Sequence, residues 1–185
     1  MTDTWQATLA SHYGITAELT KLDGEYDLNF AANAPGYSAI LKVMRQGADP
    51  DFIAMQIAAL AHIHAHWPGA PLPHVLPAQN GARHVTSPEG RCLWLQSRCP
   101  GTPFAGFTPK SLALIATLGQ NIARLDAALA TFSHPLLSRP LKWSLPDSLW
   151  IADDLACITD PARHAQLTDI IANFRAARPA LASLP

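Results

Sequence analysis

Short stretches in the first hundred residues alternate between apolar and polar positions. One stretch covers residues 15–19 and another covers residues 26–30, on either side of the turn dipeptide Asp23-Gly24. A repeat of two residues is typical of strands, and the turn between the stretches predicts a hairpin over residues 15–32. Further strands are predicted at residues 38–45, 74–76 and 92–96, with a short helix at 4–11 and a longer one between Pro50 and Trp67.

The second half of the chain follows a helical pattern instead. Residues 110–132 place apolar side chains in one stripe at intervals of three and four residues, which predicts a long helix. Two more helices are predicted, one over residues 147–158 and one from Asp160-Pro161 to Pro179. Because five strands come first and most helices later, we expect an α+β fold built on an antiparallel sheet.

Composition narrows the class of protein. The chain has 185 residues, 49% of them hydrophobic, which is enough for one domain or for one domain and part of another. A net charge of −1 with no basic stripe argues against a nucleic-acid partner. The sequence has neither an apolar run of 18 residues nor a signal peptide, so we expect no membrane association. Three cysteines without a CxxC pair indicate reduced thiols and a cytoplasmic protein.

Seven short stretches, taken in their order and spacing, carry a resemblance to a known family. They are residues 22–30 (LDGEYDLNF), 40–43 (ILKV), 56–60 (QIAAL), 98–101 (RCPG), 118–119 (LG), 125–129 (LDAAL) and 134–135 (HP). With them the chain resembles the aminoglycoside phosphotransferase superfamily of small-molecule kinases, most of all its hydroxylysine-kinase-like branch, whose domains can be fused to an aminotransferase. The resemblance implies a protein-kinase-like fold. Residues 1–97 would form the nucleotide-side N-lobe, and residues 98–185 the hinge and a partial helical C-lobe.

The resemblance implies a nucleotide site around Lys42. In kinases, a lysine on the third strand pairs with the α- and β-phosphates of the nucleotide. Ile40 lies two residues before Lys42 on the same face of the strand and would cover the base. The turn at Gly24 would lie over the phosphates, because a residue without a Cβ allows close approach. The simpler alternatives are an edge-strand lysine with its ammonium in water, a core isoleucine and an ordinary hairpin turn.

Two further parts of the nucleotide site follow from the same resemblance. Gln56 stands where kinases usually place the glutamate that sets the strand lysine. A glutamine can accept a hydrogen bond from Lys42 but supplies no countercharge, and its alternative role is that of a polar residue at the edge of the core. Gln96, Arg98 and Cys99 lie in the hinge, where adenine or guanine would bond to the backbone. The choice between ATP and GTP therefore stays open.

Phosphoryl transfer also needs a group that orients the nucleophile and ligands for Mg²⁺. In the superfamily these come from an H-x-D-x-x-x-x-N-like loop and a later aspartate, and this sequence does not contain that motif. We therefore predict no catalytic residue and no metal ligand within the chain. The 185 residues are expected to be the N-terminal part of a larger enzyme, inactive as an isolated chain.

The function that the resemblance implies is an ATP- or GTP-dependent kinase that uses Mg²⁺. Its substrate would be an amino alcohol or a hydroxylated amino acid. The expected partners are the nucleotide and this small molecule, together with a homodimer partner or fused C-terminal domains. The alternative is a non-catalytic kinase-like module that binds a ligand or dimerises through the face that the missing segment would cover.

Other clusters have simpler explanations. His62 and His66 have a spacing that can hold Zn²⁺, but no Glu or Cys ligand stands nearby in the sequence, so a solvated helix end is preferred. Asp153 and Asp154 point in different directions on a helix and are interpreted as surface residues. Trp94 is interpreted as a packing residue.

Overall fold

The computed structural model describes residues 2–139, 141 and 143–181. The chain forms two compact units, Met1–Leu136 and Leu137–Pro185. The predicted order, a helix, then a strand-rich region, then helices, is confirmed. The predicted lobe boundary after residue 97 stays a prediction, and positions 140, 142 and 182–185 of the predicted C-lobe lie outside the described residues.

Six antiparallel strands form one sheet in the first unit. They are β1 (Glu18–Leu22), β2 (Leu28–Ala34), β3 (Tyr37–Val43), β4 (Val75–Leu76), β5 (Val85–Thr86) and β6 (Cys92–Ser97). Their order in the sheet is β1-β2-β3-β6-β4, and β5 also pairs with β6. The predicted antiparallel sheet is confirmed with one strand more than expected. The additional strand, β5, has two residues and therefore shows no repeat in the sequence.

Helix α1 (Thr2–Tyr13) covers one face of this sheet. Trp5, Leu9 and Tyr13 follow one another at intervals of four residues and are all buried, as expected for one face of a helix. They belong to the same core as alternate residues of the central strands, which are Phe30, Ala32, Ala39, Leu41, Val43, Leu93 and Leu95. The two-residue period of a strand places these side chains on one face.

Helix α2 (Pro50–His66) covers the other face. Its first turn is capped by Asp49, whose side chain accepts a hydrogen bond from the backbone N–H of Asp51 at 2.9 Å. Ile53 and Ile57 of the helix form a second core with Trp94, together with Met44 and Cys92. Along each central strand, the residues that alternate with those of the first core therefore face α2.

Helix α3 (Leu112–Leu129) begins at Ser111, whose Oγ accepts a hydrogen bond from the backbone N–H of Leu114 at 3.2 Å. Near its C-terminal end, Ala128 packs against Ile63 of α2 in a small third core. Part of the predicted apolar stripe is exposed, since Leu118 is 42% and Ile122 is 52% exposed; Leu112 at the start of the helix is 88% exposed.

The second unit contains two helical segments. A run of 3₁₀ turns spans Leu145–Cys157, and α4 spans Pro161–Leu181. The prediction of an α-helix over residues 147–158 is wrong, since the hydrogen bonds there are of the tighter 3₁₀ type. The prediction that Pro179 ends the last helix is also wrong. Pro179 lies inside α4, which continues to Leu181.

No helix among the described residues is both long enough and apolar enough to cross a membrane.

Truncation of a core residue beneath α1 tests the first unit. Leu9 is 0% exposed, and Leu9→Ala is expected to lower the free energy of unfolding by about 2–5 kcal/mol because it removes buried methyl groups and leaves a cavity. The exposed Leu112 provides the matched control, and Leu112→Ala is expected to change stability by less than about 0.5 kcal/mol. Urea unfolding followed by circular dichroism measures both. Equal losses for the two variants would contradict the assigned core.

Tyr13 gives the first unit a pH dependence at high pH. Burial, the largest cause, raises the pKa of Tyr13 from 10.0 to about 12. Because the folded state keeps the proton that the unfolded state loses, stability is complete below pH 10 and falls as the pH rises from 10 to 12. The expected loss is on the order of 2 kcal/mol, measured by urea unfolding across this range. The Tyr13→Phe variant should lose less over the same range, and an unchanged slope would exclude Tyr13 as the source.

Candidate functional site

Lys42 lies on β3 between two strands. Its partner in register is Asn29 on β2 on one side and Trp94 on β6 on the other. Leu41 and Val43 are fully buried in the core beneath α1, so the alternation of the strand turns Lys42 toward the face covered by α2. Lys42 is half-buried there.

Among the described residues, no carboxylate lies within ion-pair distance of Lys42. The Nζ atom of Lys42 lies instead 5.8 Å from the centroid of the Trp94 ring. This distance is within the range of a cation–π interaction, in which the negative face of the ring attracts the ammonium. In its partly buried position the ammonium therefore lies beside an aromatic ring and not beside a carboxylate.

Gln56 is placed on α2 as expected, but its amide is not directed to Lys42. Its Nε2 donates to the backbone carbonyl of Phe52 at 3.5 Å, a long hydrogen bond within the same helix. Within the part of the chain that the structure describes, no hydrogen bond joins Gln56 to Lys42. The structure does not bring these two predicted partners into contact, and the role of Gln56 stays a prediction.

Trp94 is a residue of the site that the sequence indicated only as a packing residue. It is 3% exposed and packs with Ile53 and Ile57 of α2. Its indole Nε1–H is buried and has no hydrogen-bond partner among the described residues. Such a donor costs about 1–3 kcal/mol of stability relative to one that is hydrogen-bonded. Only the strand register shows that this ring lies beside Lys42.

The turn that contains Gly24 is attached to the end of β3. The Oδ1 atom of Asp27 accepts a hydrogen bond from the backbone N–H of Arg45 at 2.8 Å, and the Arg45 guanidinium lies 5.5 Å from the Tyr26 ring centroid. One of the acids near Gly24 is thus engaged by the backbone. A Cβ added to Gly24 would lie 2.5 Å from the Asp27 carbonyl oxygen and 2.6 Å from Nδ2 of Asn29. The turn therefore needs glycine for a close approach within its own backbone.

The predicted hinge begins within the last two residues of β6 and continues beyond the sheet. Gln96 lies opposite Ile40 on β3 and opposite Val75 on β4. The next residue, Ser97, donates its N–H to the His74 carbonyl at 2.8 Å and accepts from the His74 N–H through Oγ at 2.9 Å. These bonds hold the end of β6 in place.

Arg98 and Cys99 follow Ser97 in the chain and are exposed. The Sγ atom of Cys99 lies 3.9 Å from the Pro71 carbonyl oxygen. Outside the sheet, no hydrogen bond in the described part of the chain uses the backbone N–H or C=O of Arg98 or Cys99. These backbone groups are accessible to a ligand.

His62 and His66 of α2 contact each other, and His62 also contacts Thr131, two residues after the end of α3. The rings of His62 and His66 stack at 3.9 Å, Nε2 of His62 lies 3.2 Å from Oγ1 of Thr131, and Nδ1 of His66 lies 2.9 Å from the His62 carbonyl oxygen. Among residues 2–139, 141 and 143–181, no group of three or more His, Cys, Asp or Glu side chains could hold a metal ion.

A substitution in the Gly24 turn tests its geometry. Gly24→Ala is expected to lower the free energy of unfolding by about 1–3 kcal/mol, because the new Cβ would press on the backbone of Asp27. Gly119→Ala is the matched control, since Gly119 lies in α3 with nothing within 4 Å of an added Cβ. That change should raise stability by about 0.5–1 kcal/mol. Thermal unfolding measures the stability of both variants. A Gly24→Ala variant as stable as the wild type would show that the turn can shift to accept a Cβ.

Three solved structures share this fold. An amicoumacin kinase in complex with AMP-PNP, Ca²⁺ and Ami matches 99% of this chain with a TM-score of 0.70 and 15% identity. A microcompartment-associated aminopropanol kinase matches 77% with a TM-score of 0.60 and 22% identity. A spectinomycin phosphotransferase in complex with ADP and spectinomycin matches 80% with a TM-score of 0.56 and 13% identity. The matches cover 54%, 45% and 46% of those chains, so this chain spans about half of their length.

The comparison with curated proteins gives no match. The family described as the phosphotransferase enzyme family (APH) matches residues 18–185, which include β1 and all elements after it. The predicted resemblance to the aminoglycoside phosphotransferase superfamily is confirmed by this match, and the predicted protein-kinase-like α+β fold by the three structures. The chain belongs to the APH phosphotransferase family.

Proposed function

We propose that this chain forms the nucleotide-binding half of a cytoplasmic small-molecule kinase. The complete enzyme transfers the γ-phosphoryl group of ATP or GTP, with Mg²⁺, to a hydroxyl group of an amino alcohol or a hydroxylated amino acid. Membership of the phosphotransferase family supports the reaction class. The amino-alcohol substrate is supported by the likeness to an aminopropanol kinase.

The observation that carries the proposal is the charge of Lys42. Its ammonium is half-buried on β3, on the face that α2 covers, and the described residues supply no carboxylate to neutralise it. A partly desolvated cation without an anion favours a ligand that brings negative charge, and the α- and β-phosphates of a nucleotide supply it.

The surroundings of Lys42 fit the rest of a nucleotide. Ile40 lies on the same face two residues earlier, where its side chain covers the base. Ile40 is opposite Gln96, so the base lies next to the accessible backbone of Arg98 and Cys99. Nucleotide use with a divalent cation is also supported by the AMP-PNP and Ca²⁺ in the amicoumacin kinase structure.

Phosphoryl transfer needs more than this chain provides. The sequence has no H-x-D-x-x-x-x-N motif. In our proposal, Lys42, Ile40 and the hinge bind and orient the nucleotide. Gln56 and Gly24 line the phosphate side. The groups that ligate Mg²⁺ and orient the acceptor hydroxyl lie on polypeptide outside these 185 residues, so the isolated chain binds nucleotide without transferring phosphate.

One observation favours the alternative of a non-catalytic module that binds a partner or dimerises. Large apolar side chains are exposed, among them Leu112 at 88% and Trp143 at 71%. The second unit also has an open apolar groove of about 490 Å³ between the 3₁₀ segment and α4, lined by Leu155 and Phe174 among others. Exposed apolar surface of this extent is typical of interaction sites.

Nucleotide binding is tested by thermal unfolding with Mg-ATP and with Mg-GTP. At a nucleotide concentration ten times the dissociation constant, the wild-type Tm is expected to rise by about 3–6 °C. Lys42→Met should lose most of this rise because it removes the charge and keeps the length of the side chain. Lys21→Met is the matched control, a substitution of the exposed lysine on β1, and should keep the full rise.

Equal rises for both variants would show that Lys42 does not hold the phosphates. No rise in the wild type with either nucleotide would exclude nucleotide binding by this chain. The molar mass of the chain in solution, measured by light scattering in the same samples, distinguishes the dimerising alternative, since a stable dimer would have twice the mass of 19.9 kDa.

A further inference from the structure

We propose that Trp94 is the positioning residue for Lys42. The face of its indole ring holds the ammonium in the nucleotide site, where kinases commonly use a carboxylate from the following helix. The inference rests on the proposed nucleotide role of Lys42. The inference concerns how this chain positions Lys42, which has no ion-pair partner among the described residues.

The strand register brings the two residues together. Lys42 and Trp94 are direct partners across β3 and β6, and Nζ lies 5.8 Å from the ring centroid. Direct partners on neighbouring antiparallel strands have Cβ atoms about 4.5–5.5 Å apart and point to the same face. The contact therefore follows from the backbone pairing and does not need an unusual side-chain conformation.

Among the residues that the structure describes, no carboxylate from α2 forms an ion pair with Lys42. Gln56 occupies the helix position expected for the lysine's partner, but its amide donates to Phe52 within α2. In the described part of the chain, the Lys42 ammonium interacts with the ring of Trp94. Among the aromatic side chains, tryptophan attracts a cation most strongly.

Trp94 also connects Lys42 to α2. Ile53 and Ile57 pack with the indole in one buried core, so the position of the ring depends on how α2 packs on the sheet. In our proposal, α2 thus positions the lysine through an apolar contact and an aromatic ring. A carboxylate from the helix would do the same through an ion pair.

Trp5 offers a closely matched control on the opposite face of the sheet. It is 4% exposed, its Nε1–H is also buried without a partner among the described residues, and a cation, the guanidinium of Arg91, lies 5.8 Å from its ring centroid. Trp5 packs in the core beneath α1, away from Lys42. The same substitution at the two sites therefore separates loss of packing from loss of the Lys42 contact.

The first measurement is the NMR signal of the Lys42 side chain in the protein without nucleotide. The sequence has four lysines, so the signals of their CH₂ groups next to the ammonium can be assigned by substituting each one. In the wild type, the ring current of Trp94 should shift the Lys42 signal upfield of the other three. Trp94→Leu should remove this shift, Trp94→Phe should reduce it, and Trp5→Leu should leave it unchanged. A Lys42 signal that is unshifted in the wild type, or is unaffected by both Trp94 variants, would overturn the proposal.

The second measurement is the affinity for Mg-ATP by isothermal titration calorimetry. Trp94→Phe is expected to weaken binding about three- to fivefold and Trp94→Leu about tenfold or more, as the attraction is reduced and then removed. Trp5→Phe should bind as the wild type does. If Trp94→Leu does not fold, the Phe variants at both positions still make the comparison.

The outcomes separate this inference from the proposed function. Equal weakening by Trp94→Phe and Trp5→Phe, in proportion to their loss of Tm, would show a purely structural role for Trp94 and overturn the inference while nucleotide binding stands. A wild type that binds no nucleotide overturns the proposed function, and the inference with it, even if the Lys42 signal shows the contact with the ring.

Discussion

Strand β3 presents a different chemistry on each of its faces, and the rest of the first unit is arranged around this difference. Leu41 and Val43 are fully buried beneath α1, while Ile40 and Lys42 face α2. A shift of one residue in register would bury the ammonium of Lys42 in an apolar core and expose Leu41. Burial of an unpaired charge is far more costly than any gain from the shift. The register is therefore strongly fixed, and it determines which residues of β2 and β6 flank Lys42.

The face toward α2 gains a particular electrostatic character from this arrangement. A glutamate at the position of Gln56 would neutralise Lys42 and would compete with a phosphate for it. The indole of Trp94 attracts the ammonium but carries no net charge, so in our proposal Lys42 stays free to attract the phosphates of a nucleotide. The nearby turn is compatible with this charge, because Asp27 is held by the backbone N–H of Arg45.

Local patterns allowed the four α-helices and most strands to be predicted, because alternation and capping act over a few residues. Lys42 and Ile40 could be placed on one face from the strand period alone. The pairing of Lys42 with Trp94 could not be predicted in this way, because the two residues are far apart in the sequence. The register of their strands depends on how α1 and α2 pack. The 3₁₀ segment at Leu145–Cys157 has an apolar spacing close to that of an α-helix, and the difference of one residue in its hydrogen bonds leaves no clear sequence signal.

The two units differ in how completely they bury their apolar residues. The first has a closed core on each face of its sheet, including Leu9, Leu41 and Trp94. The described part of the second has no buried residue, and its groove beside α4 is open. A segment without a core gains little from burial to offset its loss of conformational entropy, so it is the part most dependent on a further apolar surface. The chain spans about half of the length of the kinases that share its fold. The residues proposed to bind the nucleotide lie in the first unit, so nucleotide binding can be tested separately from the question of what contacts the open groove.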